Sequence, residues 1–201
     1  MSRLIERAIQ PWAEELLGFS PVLVVEGARQ TGKSTLARKL RPNAITVNLD
    51  DPQTLDYARN DPVGFAAQAG DGVLIIDEFQ RLPSLSLAIK ANVDADRRPG
   101  RFILTGSSDF ARERGDKDSL AGRALSVTVF PLTQAEVRGT AASGTLVDRL
   151  LEATGVHDFP ASAEPLTHAG LAHLLTAGGF PAVHNAKPRL RAEWYRNYVE
   201  R

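Results

Sequence analysis

Short apolar runs alternate with helical patterns along the first two thirds of the chain. Five runs have the length and composition of β-strands, and they span residues 22–25, 44–47, 73–76, 102–104 and 125–129. The first, third and fourth are nearly continuous, which is typical of strands covered on both faces, whereas the fifth alternates as an edge strand does. Because helix signals lie between the runs, the pattern predicts parallel strands with helices on both faces of the sheet.

The predicted helices are marked by their start signals and by their periodicity. Asp-Pro pairs at 51–52 and 61–62 each place a capping residue before a proline, and apolar residues recur at helical spacing in 83–95. The first residues, 1–18, are interpreted as two short helices broken at Pro11.

Composition divides the chain into four predicted segments. They are N-terminal helices over 1–18, an α/β core over 19–138, a linker or insertion rich in Ala, Ser, Gly and Thr over 139–164, and a helical region over 165–201. The last helix carries Trp194, Tyr195 and Tyr198 and ends at Arg201. These aromatic residues predict either a longer natural chain or packing on another subunit.

Overall composition narrows the class of protein. The 201 residues include 24 basic and 24 acidic side chains, no cysteine and 43% hydrophobic residues. These values exclude a disordered tail and a disulfide scaffold, and they give no global electrostatic reason to bind nucleic acid or a membrane surface. No apolar run approaches the roughly 20 residues of a membrane-spanning helix, and the start lacks a secretory signal, so we expect a cytoplasmic protein.

A glycine-rich motif follows the first predicted strand and opens a helix. It fits G-x-x-x-x-G-K-[ST] and consists of Gly27, Ala28, Arg29, Gln30, Thr31, Gly32, Lys33 and Ser34. The glycines let backbone N–H groups point at phosphate oxygens, Lys33 places a cation near the β- and γ-phosphates, and the Ser34 hydroxyl suits Mg²⁺. Thr35 follows in the predicted nucleotide-binding set. An incidental Lys-Ser pair in a plain turn is the disfavoured alternative.

The third predicted strand ends in two carboxylates, Asp77 and Glu78. In a phosphate-loop protein an aspartate there holds the Mg²⁺ shell, and an adjacent glutamate can orient and deprotonate the attacking water. Two solvated acids at a strand end are the alternative. One strand lies in sequence between the loop and this pair, which favours the P-loop division that uses a glutamate to activate water. The expected architecture is a three-layer α/β/α P-loop NTPase with a five-stranded, mainly parallel sheet and a small helical lid.

Two further elements supply candidate residues for transfer of the phosphoryl group. Thr105 and Ser107 stand at the end of the fourth strand, where a hydroxyl could sense the γ-phosphate or water, or simply cap a turn. Arg123 precedes the fifth strand and is interpreted either as a charge-stabilising arginine, in its own subunit or a neighbour's, or as a surface residue. The charged stretch 112–118 predicts a solvated loop, with contact to a partner or nucleic acid as the alternative.

Taken together these motifs resemble a known family. The matching strings, in the order of that family, are residues 26–34, 48–51, 76–80, 104–108, 120–123, 130–133 and 178–181. The chain is similar to the ATPase part of predicted AAA+-superfamily (P-loop, STAND/AAA-like) ATPases of bacteria and archaea. Members of this family continue into an uncharacterised C-terminal domain with a nuclease-like fold.

The resemblance implies an ATPase whose cofactors are ATP and Mg²⁺. Ser34 and Asp77 would bind the metal, Glu78 would be the catalytic carboxylate, and Gly179 and Pro181 would lie near adenine in a helical lid. A plain helix terminator is the alternative for the last two residues.

Three functions follow from these features. The first is Mg²⁺-dependent ATP hydrolysis that couples nucleotide state to a partner or a C-terminal effector domain. The second is a nucleotide-gated switch or antitoxin-like regulator with little turnover, which would engage a protein partner through the lid and the C-terminal helix. The third is a DNA-associated motor, supported by the excess of arginine, which makes up 19 of the 24 basic residues, and by the charged stretch 112–118. A small-molecule kinase is disfavoured by the acidic pair. The sequence leaves open whether the chain forms a homo-oligomer, and we expect no membrane partner.

Overall fold

The computed structural model describes residues 4–107, 120–141, 150–151, 153–155 and 167–200. The strands are β1 (Val22–Glu26), β2 (Ile45–Asn48), β3 (Leu74–Asp77), β4 (Phe102–Gly106) and β5 (Ala124–Thr128). The helices that lie wholly within these residues are α1 (Gln10–Phe19), α2 (Lys33–Leu40), α3 (Pro52–Asn60), α4 (Pro62–Ala67), α5 (Leu85–Ala95), α6 (Gln134–Arg138), α7 (His168–Ala177) and α8 (Pro188–Val199).

The described strands form one five-stranded sheet in the order β2-β3-β4-β1-β5. Every pairing is parallel, with Val22 opposite both Phe102 and Ala124, and Leu74 opposite both Ile45 and Phe102. The predicted α/β class is confirmed, and the sheet is wholly rather than mainly parallel. The alternating fifth run lies at an edge, as its pattern predicted.

Two buried clusters lie on the two faces of the sheet. Leu23 and Val25 point to the face covered by α1 and α2, and Val22 and Val24 point to the face covered by α3, α4 and α5. The three central strands β1, β3 and β4 therefore bury successive side chains on opposite faces, which is why their apolar runs are continuous, whereas β2 and β5 at the edges are more exposed. Full burial of a Val, Leu, Ile or Phe side chain contributes about 1.5–3 kcal/mol, so these layers supply much of the stability.

The amino-terminal stretch differs from its prediction. A single helix, α1, begins at Gln10, and Pro11 lies in its first turn, where proline is favoured because that N–H has no helical partner. Residues 4–7 are not helical. Instead the backbone N–H of Ala8 donates to Glu136 Oε1 at 2.8 Å, and Arg7 Nε donates to the same oxygen at 3.0 Å. Pro11 thus begins a helix rather than breaking one.

Glu136 completes this amino-terminal connection. It forms a capping box with Thr133 at the start of α6 and is buried. Burial raises the pKa of its carboxyl, but hydrogen bonds from Thr133, Ala8 and Arg7 outweigh that effect and hold the pKa below its ordinary value. The carboxylate is therefore kept ionised by its partners.

The chain divides into two compact units. One spans Ile9–Phe130, and the other combines Met1–Ala8 with Pro131–Arg201. The predicted division into four segments stays a prediction, and the contacts of Glu136 with Arg7 and Ala8 lie within the second unit. Most of the predicted linker over 139–164 lies outside the described residues, as does the charged stretch 112–118. No helix of the described residues has the length and hydropathy needed to cross a membrane.

Aromatic residues of the second unit pack on one another. Phe180 lies 5.1 Å from Trp194 and 4.8 Å from Tyr198 between ring centroids, and Trp194 stacks on Tyr198 at 5.0 Å. The Tyr195 hydroxyl donates to the carbonyl of Ala177 at 3.2 Å. The aromatic residues of α8 therefore find part of their packing within their own unit.

Candidate nucleotide-binding site

A tight loop joins the carboxyl end of β1 to the start of α2. Gly27 has φ 147° and Gly32 has φ 98°, and Gln30 is also left-handed at φ 61°. A Cβ atom on Gly27 would lie 2.3 Å from the carbonyl oxygen of Val129, so this position requires glycine on two counts. Gly32 ends the loop and its carbonyl accepts from Leu36 N at 2.9 Å, which begins α2.

Lys33 is buried at the base of this loop. Its Nζ donates to the carbonyl of Ala28 at 2.8 Å, and Thr31 Oγ1 donates to the same carbonyl at 3.0 Å. Burial lowers the pKa of the Lys33 ammonium, and the nearby Glu78 and Asp77 carboxylates offset part of that shift. A buried ammonium at the start of a helix, where backbone N–H groups lack helical partners, is suited to an anion that enters the loop.

Three predicted residues meet around one carboxylate oxygen. Ser34 Oγ donates to Asp77 Oδ1 at 2.8 Å, and the buried Thr105 hydroxyl donates to that oxygen too. They meet because Ser34 begins α2, Asp77 ends β3 and Thr105 lies near the end of the neighbouring β4. Ser107 follows β4 at the same edge of the sheet and is partly exposed.

Glu78 leaves β3 in an unusual conformation. Its backbone is left-handed, with φ 57° and ψ 42°, and it starts a 3₁₀ turn over Phe79–Arg81. The side-chain amide of Gln80 donates to Glu78 Oε2. Gln80 is a residue to which sequence reasoning gave no role, although it lies in one of the matched strings. The only signal was its position two residues after a predicted catalytic carboxylate.

The side chains at this edge fit a magnesium ion that is held largely by phosphates. Ser34 and Asp77 supply a hydroxyl and a carboxylate, the hard oxygen ligands that Mg²⁺ prefers. Among the described residues no group of three or more His, Asp or Glu side chains could hold a metal by itself.

A family model described as an AAA domain matches residues 19–138. The chain belongs to the AAA domain family. It therefore carries an AAA-like P-loop ATPase domain, which accounts for the loop, the acidic strand end and the parallel sheet. The nuclease-like C-terminal domain of the resembled ATPases stays a prediction.

Two curated relatives match part of the chain. They are Uncharacterized protein Rv2008c of Mycobacterium tuberculosis and Uncharacterized protein Mb2031c of Mycobacterium bovis, each 33% identical over 123 residues, which is 61% of this chain and 28% of theirs. The match thus spans little more than a quarter of the length of these relatives.

Two solved structures are similar at a low level. The Aeropyrum pernix ORC1 protein in complex with DNA gives a TM-score of 0.45 at 15% identity, over 71% of this chain and 50% of that one. A STAND protein with a tetratricopeptide repeat sensor from Pyrococcus horikoshii gives 0.40 at 16% identity, over 86% and 32%. Likeness at these scores carries no conclusion about function.

Arg123 is not brought to the phosphate loop of its own AAA domain. Arg123 precedes β5, whereas the loop follows β1. Because β1 and β5 are parallel neighbours, Arg123 and the loop lie at opposite ends of the strands. Its Nε donates to Asp94 Oδ1 at 2.7 Å, and a second nitrogen donates to Asp94 Oδ2 at 2.9 Å. A role within its own subunit does not fit this position. A role in a neighbouring subunit stays a prediction.

The predicted lid residues belong to the second compact unit. The carbonyl of Gly179 accepts from Leu132 N at 2.6 Å, and a Cβ on Gly179 would lie 2.4 Å from the Leu132 carbonyl oxygen. Glycine is thus required there by packing inside its unit. Pro181 is exposed. Contact of Gly179 and Pro181 with adenine stays a prediction, as do the contacts of the exposed Arg29, Gln30 and Thr35 with nucleotide.

Proposed function

We propose that this AAA domain binds ATP with Mg²⁺ and hydrolyses the bond between its β- and γ-phosphates. The observation that carries the proposal is the 2.8 Å hydrogen bond from Ser34 to Asp77, directly beside the buried Lys33. It supports a single site in which the loop and the acidic strand end act on one ligand. Loop amides and Lys33 would hold the phosphates, and Ser34 and Asp77 would hold the metal.

Glu78 is the proposed general base. It accepts a proton from water as the water oxygen attacks the γ-phosphorus, and the bond from that phosphorus to the bridging oxygen breaks. The products are ADP and inorganic phosphate. When bound, Mg²⁺ supplies positive charge beside the phosphate oxygens. Thr105 keeps Asp77 oriented through its hydroxyl, and it or Ser107 is the proposed sensor of the γ-phosphate.

Phosphate release by the purified chain tests this proposal. Glu78→Gln should lower turnover on the order of 10²–10⁴-fold while ATP still binds, because a positioned base contributes that much. Lys33→Ala should weaken the binding of ATP·Mg in calorimetry by roughly 10²-fold, because it removes the cation beside the phosphates. Glu15→Gln, on the exposed side of α1, is the matched control and should change neither. Equal turnover in the Glu78→Gln variant and the unmodified chain would overturn the assignment of the base.

The division into two compact units favours a second candidate, a nucleotide-gated switch. In this function ATP binding, rather than turnover, alters the unit that contains α7 and α8 and thereby a partner or effector surface. The greater length of the curated relatives is compatible with such an effector. Tight binding with turnover below about one per minute would favour the switch. In a Trp12→Phe variant, an ATP-dependent change in Trp194 fluorescence would report it, and unchanged fluorescence would count against it.

Two partner predictions need solution measurements. If Arg123 acts in a neighbour's site, activity should rise steeply with protein concentration, and a linear dependence would exclude a homo-oligomeric site. A DNA-associated motor predicts binding that weakens with salt, because phosphate contacts release counterions. Absent or salt-insensitive DNA binding would remove that alternative.

A further inference from the structure

The turn after β3 places a glutamine on the proposed base. Gln80 Nε2 donates to Glu78 Oε2, which leaves Oε1 of the carboxylate to accept a proton. We propose that Gln80 is a positioning residue: its amide holds Glu78 in one orientation for the attack of water. This inference rests on the proposed function of Glu78 and adds a residue that does not itself touch the substrate.

The backbone of Gln80 is held without help from its side chain. The neighbouring Phe79 is fully buried, and Arg81 N donates to the Glu78 carbonyl at 2.9 Å. Arg81 Nε also donates to Asp50 Oδ1 at 2.7 Å, which ties the turn to the loop after β2. A change of the Gln80 side chain should therefore leave the turn in place.

The other end of the Gln80 amide does not serve stability. Its Oε1 is buried and has no hydrogen-bond partner among the described residues. A buried acceptor without a partner destabilises a fold, so an apolar side chain of similar length should be tolerated at least as well. The amide nitrogen of Gln80 contacts Glu78, whereas its buried oxygen lowers the stability of the fold. The glutamine is thus better explained by orientation of Glu78 than by packing.

The left-handed backbone of Glu78 does not by itself fix the direction of its carboxylate. Glu78 is one of two non-glycine residues with positive φ in the described part of the chain. Its side chain still rotates about several bonds, and one hydrogen bond at Oε2 selects among those rotamers. A misplacement of reacting groups by about 1 Å can cost on the order of 10²-fold in rate. Loss of the Gln80 donor should therefore act on kcat and not on nucleotide binding.

The decisive experiment compares Gln80→Met with Gln53→Met in the full chain. Gln53 lies exposed in α3 and is the matched control. For Gln80→Met we expect kcat to fall roughly 10- to 100-fold, with KM changed by less than about twofold. The midpoint of thermal unfolding should stay the same or rise. An unchanged kcat, or a lower kcat that only accompanies a lower unfolding midpoint, would overturn the inference.

A second substitution tests the hydrogen-bond donor of Gln80 separately from the shape of its side chain. Gln80→Glu keeps the length and outline of the side chain but replaces the donating amide with a second carboxylate. It should lower kcat at least as much as Gln80→Met, because it repels Glu78 instead of holding it. Wild-type kcat in Gln80→Glu would overturn the inference even if Gln80→Met failed to fold.

The same series distinguishes failure of this inference from failure of the proposed function. Wild-type turnover in Glu78→Gln would overturn the base itself. An inactive Glu78→Gln beside a fully active Gln80→Met would overturn only the positioning role. In the variant that combines Glu78→Gln with Gln80→Met, the second substitution should lower kcat little further, since Gln80 acts through Glu78. Independent, multiplying losses would contradict that pathway, and no turnover in the unmodified chain would overturn both proposals.

Discussion

Charged side chains lie at both ends of the parallel strands, which are called here the amino edge and the carboxyl edge of the sheet. The charged groups at the two ends are paired differently. At the amino edge, Arg123 pairs with Asp94 through two hydrogen bonds, and Arg41 donates to Glu14 at 2.7 Å. At the carboxyl edge, the buried ammonium of Lys33 donates to a neutral carbonyl, although two carboxylates lie nearby. The arginines at the amino edge thus pair with carboxylates, whereas Lys33 donates to a carbonyl.

The pKa directions express the same contrast. The hydrogen bond from Arg123 lowers the pKa of Asp94, and that bond raises the pKa of Arg123, so each partner stabilises the charge of the other. Burial instead lowers the pKa of Lys33, so the fold disfavours that charge. A charge that the fold disfavours is better explained by a ligand than by stability. Paired substitutions at the two ends of the strands test whether the charged groups there differ in function.

The largest difference should appear between Asp77→Asn and Asp94→Asn. Asp77 meets Ser34 at the proposed metal site, so its neutralisation should lower phosphate release on the order of 10²-fold or more. Asp94→Asn removes a carboxylate at the opposite ends of the strands, and at a protein concentration where the chain is monomeric it should leave turnover unchanged. Steady-state phosphate release at saturating ATP measures both. Similar losses in the two variants would contradict a functional division between the edges.

Lys33→Met should weaken ATP·Mg binding by roughly 10²-fold, because hydrogen bonds to charged groups contribute about 1.5–3 kcal/mol. Its unfolding free energy should match or exceed that of the unmodified chain, since a disfavoured buried charge is removed. Calorimetry and denaturant unfolding measure the two effects. Lys90→Met, in α5, is the control and should keep full affinity.

The lowered pKa of Lys33 adds a dependence on pH. The unfolded chain binds this proton more readily than the folded chain, so stability should rise with pH in the window just below the ordinary lysine pKa. Lys33→Met should lack that part of the rise. An identical pH profile for the variant and the unmodified chain would contradict the shift.

The loop geometry predicts a smaller, structural effect. Gly27→Ala should destabilise the fold by about 2 kcal/mol, because its Cβ would clash with Val129 and its φ is positive. Gly18→Ala is a control of opposite sign, since nothing lies within 4 Å of its Cβ site in α1. That change should stabilise by roughly 0.5–1 kcal/mol. Urea unfolding of both variants is the measurement.

The smallest effect should come from Arg123→Gln. The pair with Asp94 is exposed, so its loss should cost little stability, and the cost should shrink further at high salt. Since the folded pKa of Asp94 is depressed, the pair stabilises the fold above the ordinary aspartate pKa and ceases to do so as pH falls through the depressed value. Unfolding at several pH values should show the two proteins converging at low pH.

Much of the first compact unit could be predicted from local patterns. The continuous apolar runs, the Asp-Pro helix starts and the G-x-x-x-x-G-K-[ST] motif each report a local rule, and the five-stranded parallel sheet confirms the class that they indicated. The convergence of Ser34, Asp77 and Thr105 follows from strand direction, because carboxyl ends of parallel strands share one edge. Whether Thr105 or Ser107 senses the γ-phosphate stays a prediction.

The misses also have physical reasons. Arg123 lies at the amino-terminal ends of the strands because it precedes a parallel strand, so its role in a neighbouring subunit and its role as a surface residue both stay predictions. The amino-terminal stretch is held by Glu136, which is more than one hundred residues away in sequence, so no local pattern could reveal it. The contact of Gln80 with Glu78 depends on a left-handed backbone at a non-glycine residue, a conformation that propensity does not predict.

The contact between Gly27 and Val129 has a mechanical consequence. Val129 directly follows β5, its N–H donates to the Glu26 carbonyl at 2.7 Å, and the first compact unit ends one residue later. Val129 therefore contacts both Glu26 and Gly27, the residues at which β1 ends and the phosphate loop begins. Any displacement of Val129 would therefore move the carbonyl against which Gly27 packs, so the end of this unit and the phosphate loop keep their shape together.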